Sequence, residues 1–117
     1  MATFSDNLRQ IKEAQQPQRT YTRNEIIKSK ATQILKDFQQ VCTDRASRGE
    51  GYASVEFQVF SWKFLHVAQK IEAGADTRMV VDILKKELSI LGFKKYNINY
   101  APYDAGPYYI ITIVAFW

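Results

Sequence analysis

The apolar and polar positions of this chain change period several times, and each change marks an element. Phe4, Leu8 and Ile11 recur at helical spacing and predict a short amphipathic helix over about 4–15, with Ser5 or Asp6 near its start and a narrow apolar stripe. Gln15-Gln16-Pro17-Gln18 is polar and carries a helix breaker, so it reads as a linker. Thr22-Arg23-Asn24-Glu25 then has the spacing of a capping box, with Tyr21 placed to staple onto Ile26. Ile27, Ala31, Ile34, Phe38 and Val41, flanked by Leu35 and Cys42, continue one apolar face, and Gly49 suits the left-handed residue past a helix end. The pattern predicts one long helix over about 23–47.

After Gly51 the period drops to two. Ala53, Val55, Phe57 and Val59 alternate with Ser54, Glu56 and Gln58, as in a strand with one buried face. From Ser61 the spacing of Phe64, Leu65, Val67, Ala68 and Ile71 suits a helix ending at Gly74, although 60–65 also reads as an extension of the strand. Asp76 or Thr77 is placed to cap a further helix. Its stripe is Val80, Ile83, Leu84, Leu88 and Leu91, and Gly92-Phe93 supplies a Schellman ending. Tyr96, Ile98 and Tyr100 alternate with polar neighbours, Pro102 to Pro107 forms a turn, and Tyr108 to Trp117 resumes as a strand.

That last strand is apolar on both faces, with Ile111, Ile113 and Ala115 on one and Ile110, Val114 and Phe116 on the other, so it belongs in the middle of a sheet. The expected fold is α+β: a three-stranded antiparallel sheet in the order 1-3-2, packed by two or three helices, with residues 1–21 an N-terminal helical arm and linker and residues 22–117 a single domain. The central strand's second face then needs a cover. The candidates are the N-terminal arm, the helix expected at 61–74, or another subunit.

Composition narrows the function classes. With 117 residues, 46% apolar and 24% charged, the chain has ordinary globular makeup and the length of one domain. No apolar run approaches the roughly 20 residues that span a bilayer, and the start lacks the basic and apolar regions of a secretory leader, so no membrane partner and a cytoplasmic location are expected. The single cysteine, Cys42, has no partner for an internal disulfide and falls on an apolar helical stripe. The net charge of +4 is spread thinly: residues 51–117 hold seven Lys or Arg against six acids.

Catalytic chemistry has little to work with. His66 is the one histidine, and neither it nor Cys42 sits in a local signature. Gly49, Gly51, Gly74, Gly92 and Gly106 all fall at predicted element ends and form no phosphate loop. The acids are dispersed. No enzyme activity, cofactor or metal is expected.

The unusual feature is aromatic. Eight of the sixteen aromatic residues lie in the last 25 positions: Phe93, Tyr96, Tyr100, Tyr103, Tyr108, Tyr109, Phe116 and Trp117. As rigid amphipathic contact area, Tyr100, Tyr103, Tyr108 and Trp117 are candidates for a protein interface. With Lys85, Lys86, Lys94 and Lys95 nearby in sequence, the same tyrosines form a candidate nucleic-acid surface that stacks bases while lysines hold phosphates. A third reading is an oligomeric small-molecule sponge built at a subunit interface, which needs a pocket lined by aromatics with one or two Lys or Arg.

Leu88 to Phe93, a helix ending Leu-x-x-x-Gly-Phe, followed by a Tyr-rich hairpin that finishes at Trp117, resembles a loose class of small phage and prophage accessory proteins. The likeness covers about half the chain. It implies a mobile-element product acting stoichiometrically, by binding a host protein, nucleic acid or small signalling molecule, as anti-defence proteins do. It assigns a role to no residue. Separately, the two-sided apolar last strand leads to the expectation of a homo-oligomer associating through that strand or the second sheet face, with the N-terminal arm swapped or docked on a neighbour.

Overall fold

The computed structural model describes residues 3–8 and 22–117. The expected linker, the Tyr21 staple and Ile11 lie outside the described residues. The long helix α1 is Arg23–Ser47 and starts as its capping residues dictate: the Thr22 hydroxyl accepts from the Glu25 amide at 3.2 Å. It ends in a full Schellman motif. Gly49 takes φ +82°, the Gly49 amide donates to the Ala46 carbonyl at 2.9 Å, and the Glu50 amide donates to the Arg45 carbonyl at 3.0 Å. At the N-terminus residues 4–8 are helical, with Ser5 and Asp6 in the first turn and Thr3 as the cap. The Thr3 hydroxyl accepts from the Asp6 amide while the Asp6 carboxylate accepts from the Thr3 amide.

Strand β1 is Tyr52–Ser61, the second helix α2 is Val67–Ile90, and β2, Lys95–Pro102, and β3, Tyr108–Phe116, form a hairpin. The three strands make one sheet in the order β1-β3-β2, antiparallel at both pairings. The fold is α+β. Because β1 and β2 both oppose β3, they run the same way, and α2 carries the chain from one to the other as a split β-α-β unit with β3 inserted between its strands.

Both helices pack on one face of the sheet. Ala53, Val55, Phe57 and Val59 of β1, Ile98 of β2 and Ile111, Ile113 and Ala115 of β3 point to that side and meet Ile27, Ala31, Ile34 and Phe38 of α1 and Val80, Val81, Leu84 and Leu88 of α2. Val55 and Ile98 flank Ile113 in register, so a three-residue apolar row crosses the sheet under the helices. The alternate residues of β3, Ile110, Thr112, Val114 and Phe116, face away and take no part in this core. No helix among the described residues covers them.

The chain between Ser61 and Leu91 departs from the sequence pattern. One continuous helix replaces the two expected ones, and Gly74 lies inside it. A Cβ at Gly74 would stand 2.6 Å from the Tyr109 hydroxyl, so this glycine serves the close approach of β3 to the helix and not a helix end. Thr77 caps nothing: it is fully buried, and its hydroxyl donates to the Ala73 carbonyl at 2.7 Å within the helix. Asp76 accepts from the Arg23 side chain and ties the first turn of α1 to α2.

Ahead of α2 the chain does extend as strand, but only to Ser61. The register of β1 on β3 slips by one residue between Val59 and Ser61, leaving Phe60 as a bulge with φ +30°. Phe64 and Leu65 then occupy a turn, and Leu65 itself adopts φ +73°. The apolar positions that suggested a helix from Ser61 are therefore not a buried stripe.

Candidate functional site

The two ends of the sheet hold different sets of aromatic residues. At the end where β1 begins and β3 finishes, Trp117 lies 6.4 Å from Phe93, and Phe93 meets Phe38 of α1 edge-on at 6.2 Å. The Phe93 ring folds back past the α2 terminus, where Gly92 takes φ +78°. These rings close the core, with Trp117 half-buried against it. Lys94 and Lys95 also belong to this end, at the start of β2, while Lys85 and Lys86 are on the later turns of α2, Lys85 beside Tyr96, Asn97 and Asn99.

At the opposite end the hairpin turn and the β1–α2 connection meet. The Tyr103 amide donates to the Tyr108 carbonyl at 2.9 Å, which closes the hairpin, and the Trp62 amide donates to the Pro107 carbonyl at 2.9 Å, which fastens the two loops together. Tyr103 and Tyr108 stack at 4.9 Å with 18° between ring planes. Gly106 makes room for this, since a Cβ there would stand 2.5 Å from the Tyr108 ring. Loss of water around the Tyr108 hydroxyl, and secondarily the neighbouring Tyr103 phenol, push its pKa above the ordinary phenol range.

Between these loops runs an open cleft of about 390 Å³ lined by Trp62, Phe64, His66, Lys70 and Tyr103, with Asp104 on the hairpin side. Trp62 anchors its floor, packing on Tyr109 at 5.4 Å, and the Lys70 ammonium sits 5.7 Å above the Trp62 ring in cation–π contact. The β1–α2 turn is held by the His66 amide on the Lys63 carbonyl at 3.0 Å and by the Lys63 amide on the Gln69 side chain at 2.9 Å. His66 occupies the position before α2, but its imidazole makes no capping hydrogen bond.

The apolar side chains around this cleft are turned outward. Phe64 is 74% exposed, Leu65 84%, Val67 68% and Ile71 67%, and Val67 and Ile71 are one helical turn apart on the same face of α2. Sequence periodicity found these four residues but read them as the apolar positions of a helix ending at Gly74, with 60–65 as an alternative strand extension. Their spacing is helical, and nothing in the spacing reveals that the face has no neighbour.

Of the sequence-predicted interface residues, the structure brings Tyr103 and Tyr108 together at the cleft. Tyr100 lies nearby, 6.3 Å from Tyr109. Trp117 is at the far end of β3. Of the four candidate phosphate-binding lysines, Lys94 and Lys95 are separated from the stacked tyrosines by the length of β2, about 25 Å at strand rise, whereas Lys85 lies beside the middle of β2 near Asn97 and Asn99. Cys42 follows Phe38 by one turn on α1, partly buried, and burial pushes its thiol pKa upward, whereas His66 is exposed at the cleft end. Cys42 and His66 form no couple.

Among the described residues no three His, Cys, Asp or Glu side chains come together as a metal site, and no helix is long and apolar enough to cross a membrane. No known protein family, curated protein or solved structure matches the chain.

Proposed function

We propose that this protein is a non-enzymatic interaction module that binds a protein partner stoichiometrically through the cleft end of its sheet, the partner being a host protein if the chain is a mobile-element product. The observation that carries this reading is the group of outward-facing apolar side chains, Phe64 and Leu65 on a turn fastened by backbone hydrogen bonds and Val67 and Ile71 on the first turns of α2, beside the stacked Tyr103–Tyr108 pair. Exposed large apolar side chains scattered singly are ordinary; a contiguous group rimmed by charged residues such as Lys63, Lys70 and Asp104 has the makeup of an interface. The left-handed Leu65, a conformation that costs a non-glycine residue on the order of 1 kcal/mol, aims this side chain away from the body.

A small-molecule sponge is the second reading, favoured by one feature: the cleft has the volume of a ligand site, with Trp62, Phe64 and Tyr103 as rings and Lys70 as cation. Nucleic-acid binding through sheet tyrosines and the four lysines draws less support, because the lysines run from the middle of β2 to its start and none of them lines the cleft beside Tyr103.

A photo-crosslinking residue at position 64 would capture the partner in cells, and the captured protein, once purified, should bind the full chain 1:1 by calorimetry. Phe64→Ser and Leu65→Ser should each weaken that binding by about tenfold or more, the range of interface hot spots. Equal capture from a probe at Ser54, on the sheet, or unchanged affinity in both variants would overturn the assignment. Saturable quenching of Trp62 by a metabolite in a Trp117→Phe background would move the reading to the sponge.

A further inference from the structure

We infer that the free edge of β2 is a second binding site, which takes an extended segment of a partner protein as an added strand and sets an acidic side chain of that segment on Lys85. The groove at this edge shares no residue with the cleft, so the inference does not rest on the cleft reading. Strand register decides which backbone groups face outward. The Tyr103 amide donates to the Tyr108 carbonyl, so in the ladder that continues from this pair Ala101, Asn99 and Asn97 bond to β3, and Tyr100, Ile98 and Tyr96 turn their amides and carbonyls the other way. Pro102 agrees with this alternation: opposite Tyr109, it stands where β3 needs no donor. Among the described residues, Tyr96, Ile98 and Tyr100 make no backbone hydrogen bond to any element beyond the sheet.

These groups open onto a groove of about 440 Å³, walled by Tyr96, Asn97, Ile98 and Asn99 on the strand and by Lys85 on α2. Backbone donors and acceptors at alternate residues recognise one kind of ligand, another strand, and the side chains along the groove select its sequence. Tyr96 and Ile98 turn to the helix side of β2, whereas Asn97 and Asn99 lie on its outward side. A matching strand is therefore apolar on one face and polar on the other. The charge around the groove completes the description. No acid lies on β2, Lys95 begins it and Lys94 precedes it, and Lys85 makes no ion pair among the described residues. Of the acids flanking Lys85 on α2, Glu87 turns towards Thr32 and Leu35 of α1, and Asp82 has Lys86 one turn further on. A carboxylate on the helix-facing side of the added strand complements Lys85.

A different protein is favoured over a second copy by the same lysine. Two β2 strands laid antiparallel about Ile98 are related by a two-fold axis perpendicular to the sheet, which keeps both α2 helices on one face. Lys85 stands beside Ile98, so the two Lys85 ammonium groups would meet at that axis, and like charges brought together at an interface are unfavourable.

The test uses the full chain, isotope-labelled for NMR, and the capped peptide Thr-Val-Thr-Glu-Thr-Val-Thr, whose valines and glutamate share one face. In the free protein the amides of Tyr96, Ile98 and Tyr100 should exchange with solvent faster than those of Asn97 and Asn99, and saturation with the peptide should slow them at least tenfold. The same peptide with lysine in place of glutamate should bind at least tenfold more weakly, and the preference should reverse in Lys85→Glu. Tyr100→Ala keeps the edge amide and should still bind, whereas Tyr100→Pro removes it and should weaken binding at least tenfold. If Tyr100→Pro does not fold, the reversal in Lys85→Glu decides. No protection at the three amides, equal affinity for the two peptides, or protection of the same amides by a second copy or by a single-stranded RNA in place of the peptide would each overturn the inference.

Discussion

The two ends of this sheet carry comparable numbers of aromatic rings and use them in opposite ways. At the Trp117 end, Phe38 is fully buried in the core, and Phe93 and Trp117 pack half-buried against it. At the cleft end, Tyr103 and Tyr108 stack on each other, Trp62 meets Tyr109 of the hairpin and the Lys70 ammonium, and Phe64 projects from the turn. What differs is the backing. Helix α1 backs Phe93 through Phe38, whereas the cleft end has no third element behind the 62–67 turn among the described residues. An aromatic ring closes a core where two layers can grip it and forms a recognition surface where only one can.

Substitutions at the two ends should separate stability from recognition. The largest effect is expected for Phe38→Ala, which removes a fully buried ring: a loss of about 3–5 kcal/mol in denaturant unfolding, set by transfer and cavity terms together. A cost below about 1 kcal/mol would mean that the Trp117 end is not closed as described. Between the ends, Gly74→Ala tests the packing of β3 on α2. Alanine should gain about 1 kcal/mol as a helix former, yet its Cβ runs into the Tyr109 hydroxyl, and overpacking costs about 1–3 kcal/mol. Net destabilisation is expected, turning to stabilisation in a Tyr109→Ala background, and a double-mutant cycle measures the coupling.

At the cleft end, Phe64→Ser and Leu65→Ser should change unfolding free energy by less than about 0.5 kcal/mol, as for exposed sites elsewhere, while partner binding falls. A large stability loss there would erase the contrast between the ends. The smallest effect concerns Cys42. Its thiol pKa is raised by burial, so between the unfolded and folded values the native state holds the proton more tightly than the unfolded state does, and stability declines as pH rises through that window. A pH series above 8, compared with Cys42→Ser, should show this shallow slope. Alkylation of Cys42 should also be slower in the native protein than in denaturant.

Much of the fold was legible along the chain. The Thr22 cap, the Gly49 and Gly92 helix ends, the alternation in β1 and the two-sided apolar β3 led to the strand order 1-3-2 without any tertiary information, because caps and periods are local consequences of backbone geometry. Gly74 misled. A glycine within a helical pattern reads as punctuation, and its reason, the Tyr109 ring crossing the helix, lies 35 positions further on. The candidate site was legible in part. Tyr103 and Tyr108 stood out by composition and position, but Trp62, Phe64, Leu65 and Lys70 did not, since the fastening of Trp62 to Pro107 joins segments distant in sequence.

By itself the sequence determined the element types, most of their ends, and which face of each strand turns to the core, since spacing decides which side chains share a face. The tertiary structure alone decided whether a face so defined has a neighbour. Val67 and Ile71 have the same helical spacing as Val80 and Leu84 in the same helix, yet the first pair stands in solvent and the second is fully buried. The physical reason is that burial belongs to a pair of surfaces, and the partner surface of any helix face is supplied by residues that local periodicity does not contain.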